Sequence, residues 1–302
     1  MLSVISTSYT TLLRYGKVKV RSLNTISHSK PTQRPKRIIL IRHGESLGNV
    51  DEKAYVTTPD WKVPITPQGR KQANEAGVKL NSLISADEFI ILYYSPYLRT
   101  RQTVQEIVRH LHPKQIISSR EEPRISEQQF GNFQNVKEVL HAKQERHDFG
   151  RFYYRFKSGE AGLDVYSRVS SFISTLVRDC QQYAKAGYNL VRVWMILIVF
   201  LFVTVYVSDH SNISTFQEKV NVVIVTHGLS LRLFLMRWFQ FSVEEFENSK
   251  NPENAQLVVM KKRCVGGHRW YVLDEENRKS LNLPSGCGVP KNVYLHQLDE
   301  EK

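Results

Sequence analysis

Two short apolar runs, Ile38-Ile39-Leu40-Ile41 and Val222-Val223-Ile224-Val225, each lead within one residue into a histidine followed by glycine. Four consecutive β-branched or leucine residues read as a strand buried on both faces, the kind found in parallel sheets covered by helices. A third run, 89–94, ends at Ser95-Pro96, and shorter strands are expected at 116–117 and 256–260. Between these runs the apolar period becomes helical. Thr66 as cap and Pro67 in the first turn open a helix with Ala73, Ala76, Leu80 and Leu83 on one face. Further helices are predicted over 98–111, 165–183, where Val169, Phe172, Ile173 and Leu176 form a stripe, and 229–241. A helix is also expected at 44–50, whereas 60–66 and 121–131 read as loops, and no internal repeat is found. The alternation predicts an α/β fold with a mostly parallel central sheet flanked by helices.

Such sheets place ligands at the carboxyl ends of their strands. Gly44 and Gly228 would let backbone approach a ligand closely. Helix starts after His43 and His227 would aim amide N–H groups at an anion. The two imidazoles are therefore expected to share one site.

With 41% hydrophobic and 24% charged residues, the 302-residue chain is ordinary for a globular protein. Its formal charge of +13 is uneven: residues 1–41 hold eight Lys and Arg and no acidic residue, which leaves +5 for the rest. Most of the charge thus belongs to a leader, and neither its distribution nor any motif points to a nucleic-acid partner. The leader, 1–35, is rich in Ser and Thr, lacks Asp and Glu, and resembles an organellar transit peptide. Basic residues begin only at Arg14, which favours a plastid destination, with mitochondrion or cytoplasm as alternatives. Cys180, Cys264 and Cys287 are widely spaced and odd in number, so neither a disulfide framework nor a zinc site is expected. A catalytic domain over 36–262 and a loop-rich extension over 263–302 follow, the latter read from Gly266-Gly267 and Pro284-Ser285-Gly286.

One segment breaks the pattern. Residues 191–207 are apolar with a single arginine, at the low edge of a membrane span, and a polar stretch follows to Gln217. A single span there would put His43 and His227 on opposite sides of a bilayer, so stable membrane insertion is not expected. The composition of the 27 residues 191–217, from Val to Gln, is that expected of a translated retained intron.

Five elements in order carry a family resemblance: Arg42-His43-Gly44-Glu45-Ser46 with Asn49; Thr66 to Gly69; Ser95-Pro96 with Arg99-Thr100; Glu127 four residues before Gly131; and Thr226-His227-Gly228. Together they resemble the histidine phosphatase superfamily, also called phosphoglycerate-mutase-like, over about 37–262. The stretches 124–133 and 149–156 look most like the plant phosphoglycerate-mutase-like proteins. The resemblance implies a three-layer sandwich and phosphoryl transfer through a phosphohistidine on His43. It implies Glu127 as general acid and base, His227 as a donor to the phosphate, Arg42 and Arg99 as its clamp, and Asn49, Thr66 and Gly228 as further phosphate contacts. Those residue types suit the chemistry, which needs a neutral nucleophile, planar cations on the phosphoryl oxygens and an acid for the leaving group. No metal or other cofactor is expected, and the partner is a small phosphate ester; oligomeric state is not legible. Only 28 residues separate Gly131 from Glu160, too few for the basic, proline-rich insertion of cofactor-dependent mutases. Gly159-Glu160-Ala161 with Arg168 resembles a phosphatase-type Gly-Glu-Ser pattern, with Ala161 where Ser is usual. Phosphomonoester hydrolysis is therefore expected ahead of mutase activity. Basic residues from Lys137 to Lys157 offer either a second anion subsite or a solvated helix face. An inactive binding or scaffold protein is the alternative if the 191–217 segment disrupts the strand that carries His227.

Overall fold

The computed structural model describes residues 34–131, 135–201, 218–265 and 268–285. The leader up to residue 33, residues 202–217 of the apolar segment and the chain beyond 285 lie outside the described residues, and so do the readings of a transit peptide and of most of a retained intron.

The strands are β1 (Arg37–Arg42), β2 (Phe89–Tyr94), β3 (Ile116–Glu121), β4 (Val220–Thr226), β5 (Leu257–Val265) and β6 (His268–Leu273), in one sheet of order β3-β2-β4-β1-β5-β6. The first four are parallel, with Ile38 beside Val222 and Ile41 beside Val225 at the centre; β5 and β6 add antiparallel strands at one side. Helices in chain order are α1 (Leu47–Val50), α2 (Ala54–Thr57), α3 (Pro67–Leu83), α4 (Leu98–Val108), α5 (Val136–Phe149), α6 (Gly162–Leu201), α7 (Gly228–Phe239), α8 (Val243–Asn248) and α9 (Glu275–Ser280).

Strand alternation sorts the core into two layers. Ile38, Leu40, Tyr93, Val222 and Ile224 pack on Val169, Phe172 and Leu176 of α6 and Phe234 of α7. Ile39, Ile41, Leu92, Val223 and Val225 pack on Ala76 and Leu80 of α3 and Val104 and Ile107 of α4. Each large apolar side chain so buried contributes about 1.5–3 kcal/mol relative to exposure. The result is a three-layer α/β sandwich, and it explains why β1 and β4 read as unbroken apolar runs. All four parallel strands end at one edge of the sheet. The residues that follow β1, β2, β3 and β4 are thereby brought together.

Three expectations are corrected. The helix expected at 44–50 shrinks to four residues, because Ser46 is extended and bridges Ile65 while Thr66 N–H donates to the Glu45 carbonyl at 2.8 Å. The extension expected to be loop-rich from 263 instead continues β5 to Val265 and adds β6 and α9, with Tyr271, Leu273, Leu281 and Leu283 buried in the core. Its hydrophobic positions complete the face that β1 and α7 begin. The helix expected to stop at 183 runs on as backbone helix to Leu201, into the apolar segment. Among the described residues no helix is long and apolar enough to cross a membrane. β4, which follows that segment, is whole and buried along its length.

Candidate active site

His43 follows β1 directly, and its N–H donates to the Thr226 carbonyl at 2.9 Å, which ties the ends of β1 and β4 together. The rings of His43 and His227 lie 5.2 Å apart at 62°. Both are buried, 3% and 0% exposed. Nδ1 of His43 is 2.7 Å from the Gly44 carbonyl, an acceptor only, so Nδ1 carries the proton and Nε2 keeps its lone pair. Burial first, then the guanidinium groups of Arg99 and Arg42, hold its pKa well below the ordinary histidine value. His43 is thus neutral, with Nε2 as the free nucleophilic atom.

His227 caps α7, and its Nε2 is 2.8 Å from Ser95 Oγ. Ser95 Oγ also accepts from the Tyr97 N–H at 3.4 Å. Nδ1 of His227 is buried without a hydrogen-bond partner. Burial, then Arg99 and His43, hold His227 well below the ordinary value as well.

The two arginines show the same incompleteness. Arg99, 2% exposed at the start of α4, donates Nη1 to the Asp60 carbonyl at 2.7 Å and to Asp60 Oδ1 at 2.8 Å, yet its Nε is buried without a partner. Arg42 donates Nη1 to the Pro252 carbonyl at 2.8 Å, and its Nε is likewise without a partner. Unpaired buried donors are rare and each costs roughly 1–3 kcal/mol. Arg42 Nε, Arg99 Nε and His227 Nδ1 are three partnerless buried nitrogens, on the two arginines that lower the His43 pKa and on the ring that packs against it.

Glu127 sits in the loop after β3. Burial pushes its carboxyl above the ordinary range, against the opposing pull of Arg99 and Arg42 and a 2.9 Å bond from the Gln128 N–H. That loop is fastened from three sides. Thr226 Oγ1 donates to the Ile125 carbonyl and Ser230 Oγ to the Ser126 carbonyl, both at 2.6 Å. Arg168 on α6 donates to the carbonyls of Arg124, Ser126 and Glu127 at 2.8–2.9 Å while its other edge is held by Glu160.

His43, His227, Arg42, Arg99 and Glu127 are therefore brought together, and the three other expected phosphate contacts also have contacts within the protein. Thr66 accepts from Gly69 N–H at 2.9 Å and donates to Glu45 Oε1 at 2.7 Å, so its hydroxyl is committed to capping α3. Asn49 uses its carbonyl to accept from Ser46 N–H at 3.0 Å and Asn254 Nδ2 at 3.3 Å, which leaves only its amide N–H groups for a ligand. Gly228 starts α7, where an added Cβ would lie 2.9 Å from Asn251 Cγ. Gly44 packs on the backbone of Gly69, whose carbonyl oxygen would be 2.4 Å from an added Cβ. Both glycines are closely packed against the protein itself.

Sequence reading singled out neither Asp60, which aims Arg99, nor Tyr97, whose ring is 5.0 Å from that of His227. It attached no role to Ser95 or Arg168. A cavity of about 590 Å³ adjoins this group, bounded by 55–61, Tyr97 and 129–131. Among the described residues no three His, Cys, Asp or Glu side chains are grouped so as to hold a metal.

A family model described as histidine phosphatase superfamily (branch 1) matches residues 38–186. Two Arabidopsis thaliana proteins are similar to this chain. Phosphoglycerate mutase-like protein AT74H is 42% identical over 80% of this chain and 79% of its own length. Phosphoglycerate mutase-like protein AT74 is 46% identical over 75% of this chain, which spans only 65% of that relative. The fold is similar to that of a mycobacterial glucosyl-3-phosphoglycerate phosphatase, at a TM-score of 0.53 and 16% identity, over 79% of this chain and 97% of that one.

Proposed function

The chain belongs to the histidine phosphatase superfamily, and from that premise we propose that it hydrolyses phosphomonoesters by way of a phosphohistidine on His43, without a metal. His43 Nε2 attacks phosphorus as the bond to the ester oxygen breaks. Glu127, protonated at the start, gives its proton to the departing alkoxide. Water then attacks the phosphohistidine, Glu127 takes a proton from it, and phosphate leaves as the bond to Nε2 breaks. Each half of the cycle restores what the other consumed.

The observation that carries this reading is the trio of partnerless buried nitrogens, Arg42 Nε, Arg99 Nε and His227 Nδ1, on residues beside a histidine whose Nδ1 is held by the Gly44 carbonyl, and in this reading all three donate to the phosphoryl group. Positive charge already fixed in a buried site stabilises the charge that builds up on the phosphoryl oxygens, with no reorganisation at the moment of reaction. The raised pKa of Glu127 supports its role as acid, and the lowered pKa of His43 supports its role as nucleophile.

The carboxylate pairing of Lys143 and Arg155 supports hydrolysis over mutase chemistry, while Arg146 meets only a neutral amide. Lys143 is held by both oxygens of Glu52 at 2.6 Å, Arg155 by Asp164 at 2.6 Å, and Arg146 donates to Gln128 at 3.1 Å. A mutase needs free cations for its second anionic group. The intact β4 removes the physical reason for an inactive scaffold. Phosphate release from a panel of esters, phosphoglycerate included, tests the proposal, with His43→Ala as control. Release that vanishes in the control is expected; release that survives it overturns the assignment.

A further inference from the structure

Four aromatic rings contribute to the lining of the cavity beside the phosphate site. Tyr55, Trp61, Tyr97 and Phe130 contribute to its wall, with the Tyr55 and Phe130 rings 6.3 Å apart and edge-on. Two of its lining residues touch the proposed phosphate-binding groups. Tyr97 packs against His227, and Asp60, also in the wall, is the residue that holds Arg99. An ester whose phosphate rests on Arg42, Arg99 and His227 would therefore lay its alcohol portion in this space. At about 590 Å³ the volume suits a ring-bearing group, within the usual range for small-molecule sites.

The charges in the wall are already matched. Asp60 is bound to Arg99, and Lys143 is bound to Glu52 and lies 5.4 Å from the centre of the Tyr55 ring. Lys62 lies 4.8 Å from the centre of the Trp61 ring without lining the cavity. Arg146, half-buried on α5, lies 5.8 Å from the Phe130 ring centre and donates to Gln128. A carboxylate a few atoms from the phosphate would lose water in a wall whose lining lysine is already paired with a carboxylate. An aromatic or heterocyclic ring would gain edge and face contacts with several rings at once.

We infer that this cavity selects phosphomonoesters of alcohols that carry a neutral ring, over short esters with a second negative charge such as phosphoglycerate. The inference rests on the phosphatase reading and deepens it by naming the substrate class. Four rings placed for contact give an expected preference of about tenfold or more in kcat/KM, carried mainly by KM.

The test compares phenethyl phosphate and adenosine monophosphate with glycerol phosphate, using the full chain. All three leave as primary alkoxides, so intrinsic reactivity is matched, and phosphoglycerate is run beside them. The expected result is a ring preference of about tenfold or more that shrinks several-fold in Trp61→Ala and in Phe130→Ala. Equal kcat/KM across the set, a preference for phosphoglycerate, or a ring preference unmoved in both variants overturns the inference and leaves the phosphatase reading standing. If none of the four esters is hydrolysed, the phosphatase reading fails instead. Tryptophan fluorescence of His43→Ala protein titrated with the same esters then decides the cavity by itself. Tighter binding of phenethyl phosphate than of glycerol phosphate upholds it, and equal binding rejects it.

Discussion

Ser95→Ala removes one oxygen and tests how His227 is set. In the proposed mechanism the Ser95 hydroxyl, 2.8 Å from Nε2 of His227, donates to it and thereby keeps the proton on Nδ1. Without it, the two neutral tautomers compete, and the one with its proton on Nε2 turns a lone pair toward the phosphoryl oxygen. A hydrogen bond to a charged group contributes about 1.5–3 kcal/mol. At roughly 1.4 kcal/mol per decade of rate, its loss lowers kcat/KM about ten- to a hundredfold. The assay is steady-state phosphate release by wild type and variant, paired with ¹⁵N spectra of the His227 ring. The spectrum separates a positioning role from a structural one, because only the former moves the tautomer. Wild-type kcat/KM, or a rate loss with the tautomer unchanged, refutes the reasoning.

Three further predictions concern the acid, its loop and the backbone beneath it. Catalysis needs Glu127 protonated and His43 neutral; burial raises the first pKa and burial with Arg99 and Arg42 lowers the second. The rate therefore falls below the lowered histidine pKa and above the raised carboxyl pKa, which puts the optimum on the mildly acidic side. Glu127→Gln removes the alkaline fall and costs about 10²–10⁴ in kcat for alkyl esters; a wild-type rate that climbs steadily beyond about pH 8 contradicts the assignment. Arg168→Met frees the three carbonyls around Glu127, so kcat drops about tenfold or more with a displaced alkaline limb and little change in KM. Gly131→Ala forces a side chain onto a residue at φ +88°, with its Cβ 2.1 Å from the Lys157 carbonyl oxygen. A loss of roughly 1–3 kcal/mol is expected in denaturant titration, and an unchanged midpoint refutes the strain.

The parts of this site that the sequence announces are those at strand ends. β1 and β4 are buried on both faces, so their apolar runs are continuous, and the first polar residues after them, Arg42-His43 and Thr226-His227, stand out. Glu127 is different: its loop has no period, and it becomes visible through the order of motifs that resembles the family. Asp60 and Tyr55 are not visible at all, since 55–61 is built from short turns whose placement depends on contacts with Arg99 and Phe130. Gly266-Gly267 was read as a loop signal although two glycines between strand-like runs also mark a hairpin. The run Lys261-Lys262-Arg263 before them hides the continuation of the strand expected at 256–260, because β5 is polar there. Thr66 shows the reverse case: a residue shared with the family pattern is committed to a helix cap.

The most direct test of the account is to catch the phosphoryl group on the enzyme. Wild-type protein mixed with a ring-bearing phosphomonoester is quenched in alkaline denaturant within the first turnover, and its peptides are mapped by mass spectrometry. One phosphoryl group on the peptide that contains His43, stable to base, lost in mild acid and absent from His43→Ala, is the predicted result. Turnover with that peptide unmodified, or with the phosphoryl group on any other residue, contradicts it.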